Sequence, residues 1–190
     1  SLIKALTYIY NHEVRAEDRI PIYNQPWGRE NKFDPSKYVW YASYGSNLLI
    51  ERLRSYIQGG TCRFNGKYYG GCDDKSDPVD DRSIMIPYRM YYGNSSSSWG
   101  LGGVSFLDPK TKGKTYGRMY LVTKEQYKQI CEQEGNSGNW YNHEIKLGEC
   151  EGIAIRTITN SDQRPEYAPN EAYINAIKLG LKETNPNLSD

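Results

Sequence analysis

The stretch Tyr38-Val39-Trp40-Tyr41-Ala42-Ser43-Tyr44-Gly45-Ser46-Asn47-Leu48 runs from an apolar segment into a glycine turn. Tyr38 to Ser43 is rich in aromatic and β-branched residues, the composition of a buried strand. Gly45 then permits a tight turn with φ > 0. Asn47 to Gln58 follows as an expected helix, with Asn47 as its candidate N-cap and Gly59-Gly60 as its stop. A strand, a glycine turn and a helix start leave backbone N–H groups unpaired and pointing outward, a geometry suited to a carboxylate. On local pattern alone, a turn that merely starts a helix stays open.

The second informative stretch lies far along the chain. Thr123-Lys124-Glu125-Gln126 fits a capping box, so a helix should begin at Lys124. Tyr127, Ile130, Cys131 and Glu134 then fall at i, i+3, i+4 and i+7, one face of that helix. Glu132 points elsewhere, and Gly135 is the expected C′ residue. A carboxylate at this place should hold its proton more tightly, because burial and the negative helix C-terminus both disfavour ionisation. A partly protonated Glu134 can shuttle a proton near neutral pH. Spacing alone leaves open a Glu134 that turns to solvent at a frayed helix end.

Composition narrows the function classes. The 190 residues carry 24 basic and 23 acidic side chains, a net charge of +1. That balance gives no electrostatic case for nucleic acid or an anionic membrane. No apolar run approaches a membrane span and no signal-peptide pattern opens the chain, so the expected location is cytoplasmic. Cys62, Cys72, Cys131 and Cys150 form no C-x-x-C pair, and only His12 and His143 could join them as ligands. The expectation is free buried thiols and no metal site. Tyrosine is over-used, with 18 residues against three Phe. Either a half-wet sheet surface or a tyrosine-lined cleft would use rings with polar tips.

Residues 1–37 are expected to form an appendage, a short helix over 2–10 and an extended strap containing Pro21, Pro26 and Pro35. Residues 65–83 read as a polar, aspartate-rich loop without the glycine and closing glutamate of a calcium loop. Ser83 to Tyr92 reads as a strand with an edge or bulge at Pro87, and Asn94 to Gly103 as a Ser/Gly loop. Val104 to Leu107 and Lys114 to Leu121 read as a hairpin across Asp108 to Gly113. Trp140 to Leu147 and Gly152 to Thr159 read as strands, and residues 171–184 as a closing helix. Many strands, few helices and no regular βαβ alternation imply an α+β fold, a small mixed β-barrel or strongly curved sheet with flanking helices. A Ser46–His143 hydrolase is disfavoured, because the G-x-S-x-G elbow is missing.

Several of these segments together resemble the gamma-glutamylcyclotransferase-like proteins. Tyr44 to Leu48 is similar to that family's Tyr-Gly-Ser-Asn-Leu signature, and Glu132 to Gly135 to the stretch with its catalytic glutamate. Trp99 with Gly102-Gly103-Val104, Tyr116-Gly117-Arg118-Met119-Tyr120, Tyr141, and Tyr173 to Leu181 also fit in order and separation. The resemblance covers roughly Tyr38 to Thr184 and implies a gamma-glutamylcyclotransferase-like domain over 38–190. It implies Glu134 as the catalytic acid/base and Tyr44, Gly45, Ser46, Asn47, Leu48 and Tyr141 as substrate-binding residues. It implies cyclisation of a small gamma-glutamyl amine or gamma-glutamyl amino acid to 5-oxoproline, with no cofactor or metal. A ligand-binding or altered-substrate member of the same fold is the alternative. A structural or interaction domain is a third reading.

Overall fold

The structure is a computed structural model, and it describes residues 33–188. The expected helix over 2–10 and most of the strap lie outside the described residues.

A mixed sheet organises the chain. It is built from β1 (Tyr38–Ser43), β4 (Asp80–Ser96), β5 (Gly102–Thr123), β6 (His143–Cys150) and β7 (Ile153–Thr159), in the order β4-β5-β1-β7-β6. A separate short ladder pairs β2 (Gly60–Thr61) with β3 (Tyr68–Tyr69). Among the described residues, three α-helices flank the sheet: α1 (Ile50–Gln58), α2 (Lys124–Glu134) and α3 (Glu171–Thr184).

β1 lies between β5 and β7, antiparallel to the first (Trp40 opposite Leu121) and parallel to the second (Trp40 opposite Ile155). Its side chains alternate between two cores. Trp40 and Ala42 join Ile84, Ile86, Leu107, Met119, Ile145 and Ile155 in the first cluster. Val39 and Tyr41 join Leu53 and Ile57 of α1 and Ile130 of α2 in the second. A third cluster packs Tyr173, Ala176 and Ile177 of α3 on Leu48, Trp99, Val104 and Phe106. Burial on both faces explains why β1 reads as a continuous apolar run rather than an alternating one.

The α+β class is as expected, but among the described residues the sheet does not close into a barrel. β4 and β6 remain its two ends. Past the end of β1, β5 and β7 are linked through a side chain instead of a backbone ladder. Thr159 Oγ1 accepts from Leu107 N at 3.0 Å and donates to Leu107 O at 2.6 Å.

The largest correction concerns Val104 to Leu121. No hairpin turns at Asp108 to Gly113. β5 runs straight through and pairs with β4 along its length, from Leu121 opposite Asp80 to Gly102 opposite Ser96. Asp108 accepts from Lys110 N and Thr111 Oγ1, which produces a local bulge at a register shift. The turn chemistry is real, but it inserts residues into a strand rather than reversing it. Pro87 sits at another register shift, between Ile86 and Tyr88, as its missing N–H requires.

Smaller corrections follow the same ladder. The expected Ser/Gly loop over 94–103 is mostly the end of β4, a 3-10 turn at Ser97–Trp99 and the start of β5. The 65–83 loop contains β3 and the first residues of β4. The strand expected from Trp140 begins only at His143.

The helix expected from Asn47 is also split. Ser46–Leu48 is a 3-10 turn, and α1 starts at Ile50 with Leu49 as an N-cap that offers no side-chain hydrogen bond. The turn is gripped from below. Tyr120 Oη donates to the carbonyls of Asn47 (2.7 Å) and Leu48 (3.0 Å), and Arg118 Nη1 donates to Leu48 O (3.0 Å). The same guanidinium reaches Asp81 (2.8 Å) and Glu183 of α3 (2.5 Å), tying β4, the turn and the last helix together.

Candidate active site

The turn and α2 meet at a cavity of about 290 Å³, the small end of the range for ligand pockets. Tyr44, Gly45, Ser46, Asn47, Glu134 and Tyr141 all line it. Leu48 does not. Its side chain is fully buried in the third cluster, beneath the turn. His143 is exposed at the start of β6 and outside the cavity lining, so no Ser46–His143 pair forms.

Glu134 is where its spacing places it. Thr123 Oγ1 accepts from Gln126 N and the Gln126 side chain accepts from Thr123 N, so α2 begins in register at Lys124. Gly135, with φ of 86°, ends the helix at the glutamate. The Glu134 side chain is only partly exposed, at the cavity wall. Its Oε1 accepts from Tyr41 Oη at 2.8 Å and from Asn47 Nδ2 at 2.5 Å. Burial raises the Glu134 pKa above its usual carboxylate value. The Tyr41 hydrogen bond, the Arg52 charge and the Asn47 hydrogen bond oppose that rise. Asn47 therefore does different work from a helix cap. It sits inside the 3-10 turn and its amide touches the carboxylate.

Gly45 has φ of −118°, which any residue can adopt, so the expected positive φ is absent. What the position requires is room. A Cβ there would lie 2.8 Å from Tyr173 Oη and 3.1 Å from Ser105 Cβ. Among the described residues, the amides of Gly45, Ser46 and Asn47 donate to no acceptor.

Several lining residues carry no mark in the sequence as site residues. Tyr41 reads there only as part of a strand. Ser105 has its N–H donating to Tyr173 Oη (2.9 Å) and its carbonyl accepting from Tyr141 Oη (2.9 Å). Its own hydroxyl is buried without a partner, as is Asn47 Oδ1. Arg52 is 2% exposed on α1. Its Nη2 donates to Tyr56 Oη (3.0 Å) and Tyr69 Oη (2.9 Å), while Nε and Nη1 have no partner. A signal existed for Arg52, because it shares the buried face of α1 with Leu53, Tyr56 and Ile57.

The tyrosine excess is partly a cleft. Tyr41, Tyr44, Tyr56, Tyr69, Tyr141 and Tyr173 all line the cavity. Burial pushes Tyr173 up to about 12, and pushes Tyr41, Tyr44, Tyr56 and Tyr141 well above the ordinary phenol range. These five serve as neutral hydrogen-bonding groups. The four cysteines are free and buried, with Cys131 pushed up to about 12 by burial, the state of an inert thiol. Among the described residues, no group of three or more His, Cys, Asp or Glu could hold a metal ion, and no helix is long and apolar enough to cross a membrane.

Chemically, the cavity combines a carboxylate of raised proton affinity, unpaired amides, a guanidinium with idle nitrogens and unpartnered polar side chains. That set can bind a small acidic molecule and move a proton on it.

No protein-family model matches the chain. A histone deacetylase 5 of Arabidopsis thaliana is 31% identical over 185 residues, which covers 76% of this chain and 28% of that protein. The chain thus spans little more than a quarter of that relative's length. Human gamma-glutamylcyclotransferase is 26% identical over 155 residues, covering 79% of this chain and 73% of that protein. Among solved structures, an uncharacterized human protein superposes with a TM-score of 0.56 at 23% identity, covering 80% of this chain and 82% of the other. A gamma-glutamyl cyclotransferase superposes at 0.54 and 21% identity, covering 79% and 82%. The structural likenesses show a shared fold.

Proposed function

We propose that this chain is a member of the gamma-glutamylcyclotransferase-like proteins and cyclises a small gamma-glutamyl compound to 5-oxoproline with release of the amine, a reading supported by its likeness to human gamma-glutamylcyclotransferase and by the shared fold. The observation that carries the reading is the contact between Glu134 and Asn47, which joins a carboxylate of raised proton affinity to the glycine turn in one cavity.

The nucleophile belongs to the substrate, so its chain must be folded into a near-attack geometry. The α-carboxylate of the glutamyl moiety sits against the free amides of Gly45 to Asn47. The α-ammonium then lies by Glu134 and by the unpartnered Asn47 Oδ1. Glu134, ionised at the start, takes one ammonium proton, a transfer that its raised proton affinity favours. The neutral amine attacks the γ-carbonyl carbon and the ring C–N bond forms. Glu134 gives its proton to the leaving nitrogen and receives the second proton of the attacking nitrogen as the old C–N bond breaks. The last proton leaves with the free amine, and the carboxylate is restored. The Ser105 hydroxyl, fixed by the two tyrosines that hold its backbone, is the candidate donor to the γ-carbonyl oxygen. Tyr41 and Asn47 aim the carboxylate. Tyr44, which donates to Ile158 O at 2.6 Å, and Tyr141, stacked on Phe106, wall the site. No metal or organic cofactor enters any step, and a cytoplasmic location belongs to the same reading.

The test is to incubate the protein with a panel of gamma-glutamyl amines and gamma-glutamyl amino acids and measure 5-oxoproline. Release from at least one compound supports the proposal. Binding of such compounds without release would instead support the ligand-binding alternative.

A further inference from the structure

Two buried side chains outside the cavity lining hold the turn that carries Asn47. Tyr120 Oη donates to the carbonyls of Asn47 and Leu48, and Arg118 Nη1 donates to Leu48 O. Arg118 is itself fixed. Its guanidinium lies 4.9 Å from the Tyr120 ring centre and pairs with Asp81 of β4 and Glu183 of α3. A planar guanidinium meets a carbonyl and two carboxylates at set angles, which an ammonium on a flexible stem does not. α3 also presses on the turn directly. A Cβ at Gly180 would lie 2.5 Å from Leu49 N and 2.6 Å from the Leu48 carbonyl carbon.

The consequence falls on Asn47. Tyr120 holds its carbonyl, while its side-chain nitrogen donates to Glu134 Oε1 at 2.5 Å and to Tyr41 Oη at 3.1 Å. One residue thus joins the grip on the turn to the carboxylate in the cavity. We propose that Arg118 and Tyr120 are positioning residues for Glu134: by fixing the carbonyls of the turn they keep the Asn47 amide on the carboxylate and so aim it at the reacting nitrogen. The inference rests on the cyclisation reading and adds how the aim of the carboxylate is set from outside the cavity. Hydrogen bonds weaken steeply once misaligned, and a misplacement of about 1 Å at a reacting group can cost on the order of a hundredfold in rate. A small slip of the turn is therefore enough to slow the proton transfer.

The test is a double-mutant cycle on 5-oxoproline release, with Arg118→Met, Asn47→Ala and the two combined, each assayed well below its melting temperature. Asn47→Ala should lower kcat about tenfold, the worth of one hydrogen bond to a charged group. Arg118→Met should lower kcat at least about fivefold with a smaller change in KM, and the combined variant should stay within about twofold of Asn47→Ala alone, because the grip has then lost the group it acts through. Losses that multiply would mean that Arg118 only supports the fold, and would overturn the inference. Wild-type kcat in Arg118→Met would overturn it too. Should Arg118→Met fail to fold, Tyr120→Phe carries the same cycle, since it keeps the buried ring and loses only the hydroxyl. A second readout needs no turnover. The Asn47 side-chain amide resonance, identified by its absence from the NMR spectrum of Asn47→Ala, should move in Tyr120→Phe and in Arg118→Met. An unmoved resonance overturns the inference. A wild type that releases no 5-oxoproline sinks the cyclisation reading instead, and the hold on Glu134 then stands or falls on this resonance.

Discussion

Gly45 illustrates how a residue's role depends on its neighbours. Its φ is negative and asks for no glycine, and the missing side chain matters because Tyr173 and Ser105 fill the space beside it. Gly45→Val should push the turn off these neighbours and spoil the amide wall. Steady-state kinetics should show a raised KM, a lowered kcat or both, and two unchanged constants would remove the turn from substrate binding. Glu134 makes a different prediction at the same scale. Burial raises its pKa above 4.5, so the folded chain holds this proton more tightly than the unfolded chain. Its contribution to stability is full below about pH 4.5 and is lost as pH rises through the folded value. Glu134→Gln removes that loss. In thermal melts it should be more stable than wild type at pH 8, with the gap closing at pH 4. A gap that widens on acidification would mean that the carboxylate is ionised and stabilising in the fold. Glu134 was legible because helical spacing alone puts it on the buried stripe with Tyr127, Ile130 and Cys131. Arg52 was missed although it shares a face with Leu53, Tyr56 and Ile57, because arginine on a helix is usually solvated. Its burial depends on Tyr69 and Trp99, which arrive from segments with no local tie to α1.

Elements with local signals are legible in the sequence, and those defined by long-range pairing are not. The start of α2 can be placed to the residue because its capping box is a four-residue pattern. Thr123→Ala should cost about 1 kcal/mol in chemical denaturation, the usual worth of an N-cap. No measurable loss would mean that packing alone sets the helix start. Gln126 should cost more than Thr123 when replaced by Ala. Its buried side chain also donates to Asp74 O (3.1 Å) and Ser76 O (2.9 Å) and so anchors the 74–76 loop. β5 shows the opposite case. Asp108 to Gly113 carries genuine turn residues, and only the unbroken pairing with β4 reveals that they make a bulge. The start of α1 escapes the sequence for a related reason. Asn47 has the chemistry of a cap, but Glu134, from the far end of α2, claims its amide.

At the scale of the whole molecule, the fold brings the turn after β1, the end of α2 and the start of α3 around one cavity. The α+β class was legible from strand count and spacing. The link between β5 and β7 was not, because it runs through the Thr159 hydroxyl, which no pattern announces. On the proposed mechanism the residues around the cavity work by proton transfer and positioning, so activity should survive EDTA. Loss on chelation, restored by zinc or manganese, would show that the site works differently. The central claim is that Glu134 moves the proton in cyclisation. The direct measurement is 5-oxoproline release by wild type, Glu134→Gln and Glu132→Gln on one turned-over gamma-glutamyl substrate. Glu134→Gln keeps the size of the side chain but removes the exchangeable proton. Its kcat should fall at least about a hundredfold, as for a general acid–base group. Glu132→Gln, at an exposed position off the buried stripe of α2, should keep most of the activity. Wild-type activity in Glu134→Gln would contradict the claim.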